Sequence, residues 1–169
     1  VCQLRVVGGV SSMKSFISSQ ELEALGDGLS RDYIEKTNTR NSMCFDIEGF
    51  KIINQLFGTS EGDSILKFIA VKLQEIIEPI KNSAYCRISS DLFAFAIPYE
   101  NDELLNSIID TLTAAVKMYP LNFDITLSFG IYIAENSEYS VRHMLDRAGV
   151  AQKTTKNNYK THVSYFDEA

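Results

Sequence analysis

At 169 residues, with 45% hydrophobic and 22% charged side chains, the chain is long enough for one full hydrophobic core and has the make-up of an ordinary globular domain. A formal net charge of −6 argues against a general nucleic-acid binder, which needs basic surface to displace counterions, but leaves open a small phosphorylated ligand held by local lysines. The three cysteines, Cys2, Cys44 and Cys86, form no C-x-x-C pair, only His143 and His162 accompany them, and no apolar run approaches the ~18 residues of a membrane span, so zinc and transmembrane classes drop out.

Cys44 and Cys86 lie in apolar, strand-like runs and are expected as buried structural thiols of a cytoplasmic domain. The chain opens on Val1 without a Met and stops after Phe166-Asp167-Glu168-Ala169. The expectation is a single domain, residues 1–169, cut from a longer protein, with any localisation signal or membrane anchor outside it.

In chain order, Ser11 or Ser12 can cap a helix through about Leu25, broken by Gly26 and Gly28. A polar stretch, Arg31–Asn41, leads into a short strand, Ser42–Ile47. A short helix between Gly49 and Gly58 follows. Glu61–Ile80 is a longer helix whose stripe of Ile65, Leu66, Ile69, Leu73, Ile76, Ile77 and Ile80 ends near Pro79. Two alternating runs, Tyr85–Ile88 and Phe93–Ile97, predict a β-hairpin around Ser89-Ser90-Asp91-Leu92. Asp102–Met118 repeats the helical spacing, Phe123–Ala134 alternates as a strand, Tyr139–Lys156 is a final helix and His162–Phe166 a last short strand. Helices separate the strands, yet a hairpin sits in the middle. The pattern predicts an α/β fold with a mixed, mostly antiparallel central sheet flanked by helices, not a doubly wound parallel one.

Four groups of residues could carry chemistry. Asp46 and Glu48, two apart at a strand end, share one face; such a pair can hold Mg²⁺, although spacing alone favours a solvated strand end. Asp91, in the hairpin turn, would come alongside Asp46 if the two strands pair, making a carboxylate cluster of the phosphoryl-transfer kind. A lone Asp in a turn is otherwise turn chemistry. Ser60-Glu-Gly-Asp63 matches a capping box, which pattern alone favours. In the other reading, Asn54 and Asp63 face one crevice and an amide plus a carboxylate meet the donor edge of a guanine.

The string Phe45-Asp-Ile-Glu-Gly-Phe-Lys-Ile-Ile-Asn-Gln-Leu-Phe-Gly-Thr-Ser-Glu-Gly-Asp63 resembles the D-x-D-x-F-K-x-I-N-D-x-x-G-x-x-x-G-D segment of the GGDEF, or diguanylate cyclase, family. Cys86-Arg-Ile-Ser-Ser-Asp-Leu-Phe93 falls where that family carries R-x-G-G-D-E-F. Ile125-Thr-Leu-Ser128-Phe-Gly130 resembles its later V-T-x-S-x-G strand, and Ala148, Lys156 and Lys160 match its closing A-D-x-A-x-Y-x-A-K-x-x-G-R segment. Gly8-Gly9 followed by Phe16 matches its opening weakly.

The resemblance implies a palm-like nucleotidyl cyclase fold and a domain that pairs with a second copy to condense two GTP molecules into cyclic di-GMP on Mg²⁺. By position it implies Asp46 and the Ile47 carbonyl as metal ligands, and Asn54 and Asp63 as the guanine-reading pair. Lys51, Lys156 and Lys160 fall near the phosphates, with Lys160 in place of an Arg. The signature departs from the family's. Ser89 and Ser90 replace two glycines, at a cost of about 1–2 kcal/mol wherever a left-handed backbone is required. Asp91 keeps the acid thought to help activate the attacking hydroxyl. Leu92 replaces the metal-binding Glu and weakens any hold on Mg²⁺. Gln55, Gly149 and Lys153 also depart, and Ile80-Lys81-Asn82-Ser83 lacks the R-x-x-D of product inhibition.

Three functions compete. In the first, a vestigial site still binds GTP without turning it over and regulates a C-terminal cyclic di-GMP phosphodiesterase (EAL) domain, whose run-in Val163–Ala169 resembles. In the second, a weak cyclase survives with Glu48 or water as the missing ligand. In the third, a nucleotide-free scaffold serves dimerisation, and Asn54 and Asp63 merely terminate and cap helices.

Overall fold

The computed structural model describes residues 3–7, 39–81, 83–99, 101–134, 141–155 and 162–167. The helix expected from Ser11 or Ser12 to Leu25, the Gly8-Gly9 and Phe16 match, and Lys156 and Lys160 lie outside the described residues.

The alternating apolar runs become strands and the three-to-four spacings become helices. In order these are β1 (Gln3–Val7), β2 (Thr39–Ile47), α1 (Phe50–Phe57), α2 (Thr59–Ile77), β3 (Ser83–Ser89), β4 (Leu92–Pro98), α3 (Asp102–Lys117), β5 (Leu127–Ile133), α4 (Val141–Thr155) and β6 (Val163–Tyr165). The six strands form one sheet in the order β1-β3-β4-β2-β5-β6. Every pairing is antiparallel except β5–β6, which is parallel. The expected mixed, mostly antiparallel sheet with flanking helices is therefore present. β1, which pairs antiparallel with β3, was not anticipated.

Period-two alternation sorts β2 onto two faces. Met43, Phe45 and Ile47 enter the main core with Phe93, Phe95 and Phe129, under the stripes of α2 and α3. The Phe45 and Phe93 rings stack with centroids 5.3 Å apart at an interplanar angle of 9°. Burying each such ring is worth roughly 1.5–3 kcal/mol, which fixes the register of the central strands. On the opposite face a smaller cluster of Cys44, Cys86, Ala94, Tyr132, Ala134, Met144 and Ala148 lies under α4. Both thiols are buried, as expected.

Boundaries shift for local reasons. Gly49 (φ 65°) turns β2 into α1, and Gly58 (φ 89°) is the single residue between α1 and α2. α2 thus begins at Thr59 rather than Glu61, and it ends at Ile77, two residues short of Pro79. Phe123–Thr126 precedes the β5 ladder, whose pairing with β2 ends at Ile47–Leu127; one further bond, Glu48 N to Thr126 O at 2.9 Å, follows it. α3 is capped by Asn101, whose side chain accepts from Leu104 N at 3.0 Å. Among the described residues, no helix is long and apolar enough to cross a membrane.

Candidate functional site

The described candidates fall in two groups, one on α1 and α2 and one at the end of β2 with the β3–β4 turn. The first is made by α1 and α2. Asn54 points from α1 toward Gly62, where a Cβ would sit only 1.9 Å from Asn54 Oδ1 and 3.2 Å from the Phe50 ring. Gly62 is therefore a clearance that lets the amide lie flat against α2. Asn54 Oδ1 is buried and has no hydrogen-bond partner among the described residues. Asp63, the next residue along α2, is exposed. Lys51, one turn before Asn54, is also exposed.

The capping-box reading of Ser60 and Asp63 is overturned. The N-cap is Gly58, which has no side chain to cap with, and both residues lie inside the helix. Because α2 starts one residue before Ser60, Asp63 falls past the first-turn N–H groups that a cap serves. Ser64 Oγ instead donates to Ser60 O at 3.0 Å. Glu61 is taken up by Tyr119, whose hydroxyl donates to Oε1 at 2.7 Å.

The second group lies on the α4 face of the sheet. Asp46 is only 5% exposed, which overturns the solvated strand end that its spacing with Glu48 suggested. The reason is α4, which lies over this face and brings Gln152 Nε2 to donate to Asp46 Oδ1 at 2.6 Å. Gly130 makes this approach feasible. A Cβ there would meet Ala148 O at 2.1 Å and Gln152 N at 2.2 Å, so α4 rests on bare β5 backbone. Ile47 sends its side chain into the main core and offers only its carbonyl. Glu48 Oε1 accepts from Ser128 Oγ at 2.6 Å and lies 3.0 Å from His162 Nδ1.

The β3–β4 hairpin completes this group. β2 and β4 do pair, with Phe45 opposite Phe93; continuing that register by one residue sets Leu92 across from Asp46. Leu92 packs against the Cys44–Ala94 cluster, whereas Asp91 stays half-buried in the turn. The backbone cost expected at the two serines falls on one of them. Ser90 has φ 43° and is the non-glycine residue with positive φ among the described residues. Arg87 Nε donates to Ser90 O at 2.5 Å and holds the turn. Burial, followed by the nearby Asp146 charge, pushes the Cys44 thiol up to about 12, so it is an inert neighbour of Asp46.

Gln152 was not singled out from the sequence, nor was the role of Gly130. The signal for Gln152 was its place on the α4 stripe of Met144, Ala148, Ala151 and Thr155, where a buried amide requires a partner.

The family model "Diguanylate cyclase, GGDEF domain" matches residues 22–162. Uncharacterized protein y4lL of Sinorhizobium fredii is 25% identical over 130 residues, covering 74% of this chain and 16% of its own length. The probable diguanylate cyclase DgcE of Escherichia coli is 21% identical over 140 residues, covering 79% and 12%. The chain thus spans less than a fifth of the length of these curated relatives. Among solved structures, the GGDEF domain of DgcB from Caulobacter crescentus, in complex with c-di-GMP, superposes with a TM-score of 0.71 at 18% identity, over 93% of this chain and 98% of that one.

Diguanylate cyclases of this kind generally use Mg²⁺. The residues here do not fit it well. Asp46 Oδ1 already accepts from an amide, Leu92 has no lone pair, and Glu48 Oε1 is engaged by Ser128. Among the described residues, no group of three or more His, Cys, Asp or Glu is placed to hold a metal.

Proposed function

The chain belongs to the GGDEF diguanylate cyclase family, and from that premise we propose that this domain of cyclic di-GMP signalling binds GTP as an effector without converting it. The observation that carries the reading is Asn54 Oδ1, a buried acceptor beside Gly62 and Asp63 with no partner among the described residues. Such an atom costs about 1–3 kcal/mol when left bare. Oδ1 is fully buried against Gly62, so the Asn54 side chain must rotate outward for the donor edge of a guanine to supply what it lacks, and the exposed Asp63 carboxylate can then accept from the same edge. Lys51, Lys156 and Lys160 are the proposed phosphate contacts. Turnover is absent because Leu92 stands where the family's acid would stabilise developing charge, a loss of ~10²–10³ in rate by itself, which leaves Asp91 a vestige.

In the whole protein, GTP would act by favouring one arrangement of this domain against a C-terminal phosphodiesterase (EAL) domain, with pairing of two copies as the second contact. That effect requires a difference in GTP affinity between the two arrangements. The weak-cyclase alternative needs a replacement ligand, and Glu48 is a poor one because Ser128 and His162 hold it. The scaffold alternative made Asp63 a cap, a role that α2 does not use.

A calorimetric titration of the domain with GTP, followed by chromatography of the cell contents, tests the reading. Saturable binding with no cyclic di-GMP is expected. Accumulating product, or no binding at millimolar-range GTP, would refute it.

A further inference from the structure

We propose that the Gln152 side chain occupies the place of a divalent cation, so that this domain holds its guanine nucleotide without metal; the nucleotide half of the statement rests on the function proposed above. A carboxylate only accepts, so the Gln152 nitrogen, and not its oxygen, must face Asp46. The donor lies 2.6 Å from Oδ1, in the lone-pair region that a metal would claim. Gln152 is 2% exposed and Asp46 5%, so bulk water does not compete for the pair.

The helix cannot easily withdraw the amide, and the neighbouring strand offers nothing in its place. At Gly130 the α4 backbone touches β5 with no side chain between, which sets the depth of Gln152 through the main chain. On the other side of Asp46, Leu92 faces the apolar Cys44–Ala94 cluster and provides no oxygen. Mg²⁺ demands near-octahedral oxygen ligands at about 2.0–2.1 Å and gives up its waters reluctantly. An N–H already seated on the carboxylate and an isobutyl group beside it are the opposite of that environment. A neutral amide thus takes over the electrostatic task of facing Asp46, and nucleotide affinity is left to the α1–α2 crevice.

The test combines GTP calorimetry with a spin-resonance count of free Mn²⁺, both on the purified domain. Expected are GTP affinities in excess EDTA and in excess Mg²⁺ that agree within about twofold, and an unmodified domain that leaves added Mn²⁺ free. The double variant Leu92→Glu with Gln152→Leu should take up one Mn²⁺, its fold checked by circular dichroism; should it fail to fold, the near-isosteric Gln152→Glu replaces it. Affinity that rises tenfold with Mg²⁺, Mn²⁺ bound by the unmodified domain, or a folded variant that takes up no Mn²⁺ would each overturn the proposal. Absence of GTP binding in both buffers would defeat the nucleotide reading alone, because the Mn²⁺ count still decides the role of Gln152.

Discussion

At the α1–α2 end Asn54 Oδ1 is buried with no hydrogen-bond partner among the described residues, whereas at the β2–α4 end the buried Asp46 accepts from Gln152 through Oδ1 at 2.6 Å. Both atoms are acceptors on residues that match the family's motif positions, and each lies near a glycine that removes a Cβ. At Gly62 the missing Cβ makes room for a side chain; at Gly130 it makes room for a helix. The first clearance leaves a polar atom waiting, and the second satisfies one. Native proteins rarely leave a buried acceptor bare. On the proposed function, the contrast separates an end that would take a ligand from an end whose acceptor is already satisfied within the chain.

The largest effect should come from filling the clearance under α4. In Gly130→Ala the new methyl would press on backbone atoms that cannot rotate away, so unfolding free energy should fall by about 3 kcal/mol or more in urea denaturation. A variant as stable as the parent would show that α4 does not rest on β5 as described. Next, Asp63→Ala should weaken GTP binding by roughly 10–100-fold, about 1.5–3 kcal/mol, with a nearly unchanged melting temperature because Asp63 caps nothing. A large drop in melting temperature would return Asp63 to a structural role.

Gly62→Ala should cost about tenfold in GTP affinity by displacing the Asn54 amide, with less than ~1 kcal/mol of stability at stake, since a side-chain end and not backbone must yield. Equal affinity for parent and variant would disconnect Asn54 from the ligand. The smallest effect concerns Cys44. Its thiol is raised from 9.0 to about 12, so the stability it contributes is complete below pH 9 and is lost as pH rises toward 12. A Cys44→Ala chain should lack that alkaline loss, as paired melts across this range would reveal.

The central fold was legible because its physics is local and repetitive. The α2 stripe from Ile65 to Ile77 and the alternation around Phe93 and Phe129 each bury one face, and the structure places them so. The pairing of β2 with β4 was legible, but not its register: Asp91 was expected beside Asp46, and the Phe45–Phe93 pair puts Leu92 there instead. The capping box failed because Gly58, at φ 89°, starts α2 earlier than the Ser60 pattern implied. Gln152 escaped notice because its importance depends on which strand α4 covers, and helical spacing shows only that position 152 faces inward. β1 was missed because five residues, Gln3–Val7, give too short an alternation to stand out before β3 is known to receive them.

The one-residue joint at Gly58 also bears on the order in which the two ends form. Asn54 and Asp63 belong to consecutive helices that meet at this single residue, so the crevice between them is closed by a very short loop. Gln152 and Asp46 stand 106 positions apart and meet only after the intervening strands have assembled. Loop-closure entropy grows with that separation, and contacts of low sequence distance tend to form first. The α1–α2 end is thus expected to form as a local folding unit, and the Gln152–Asp46 contact late. Pulse-labelled amide exchange during refolding should protect α1 and α2 before α4; simultaneous protection of all three helices would contradict this order.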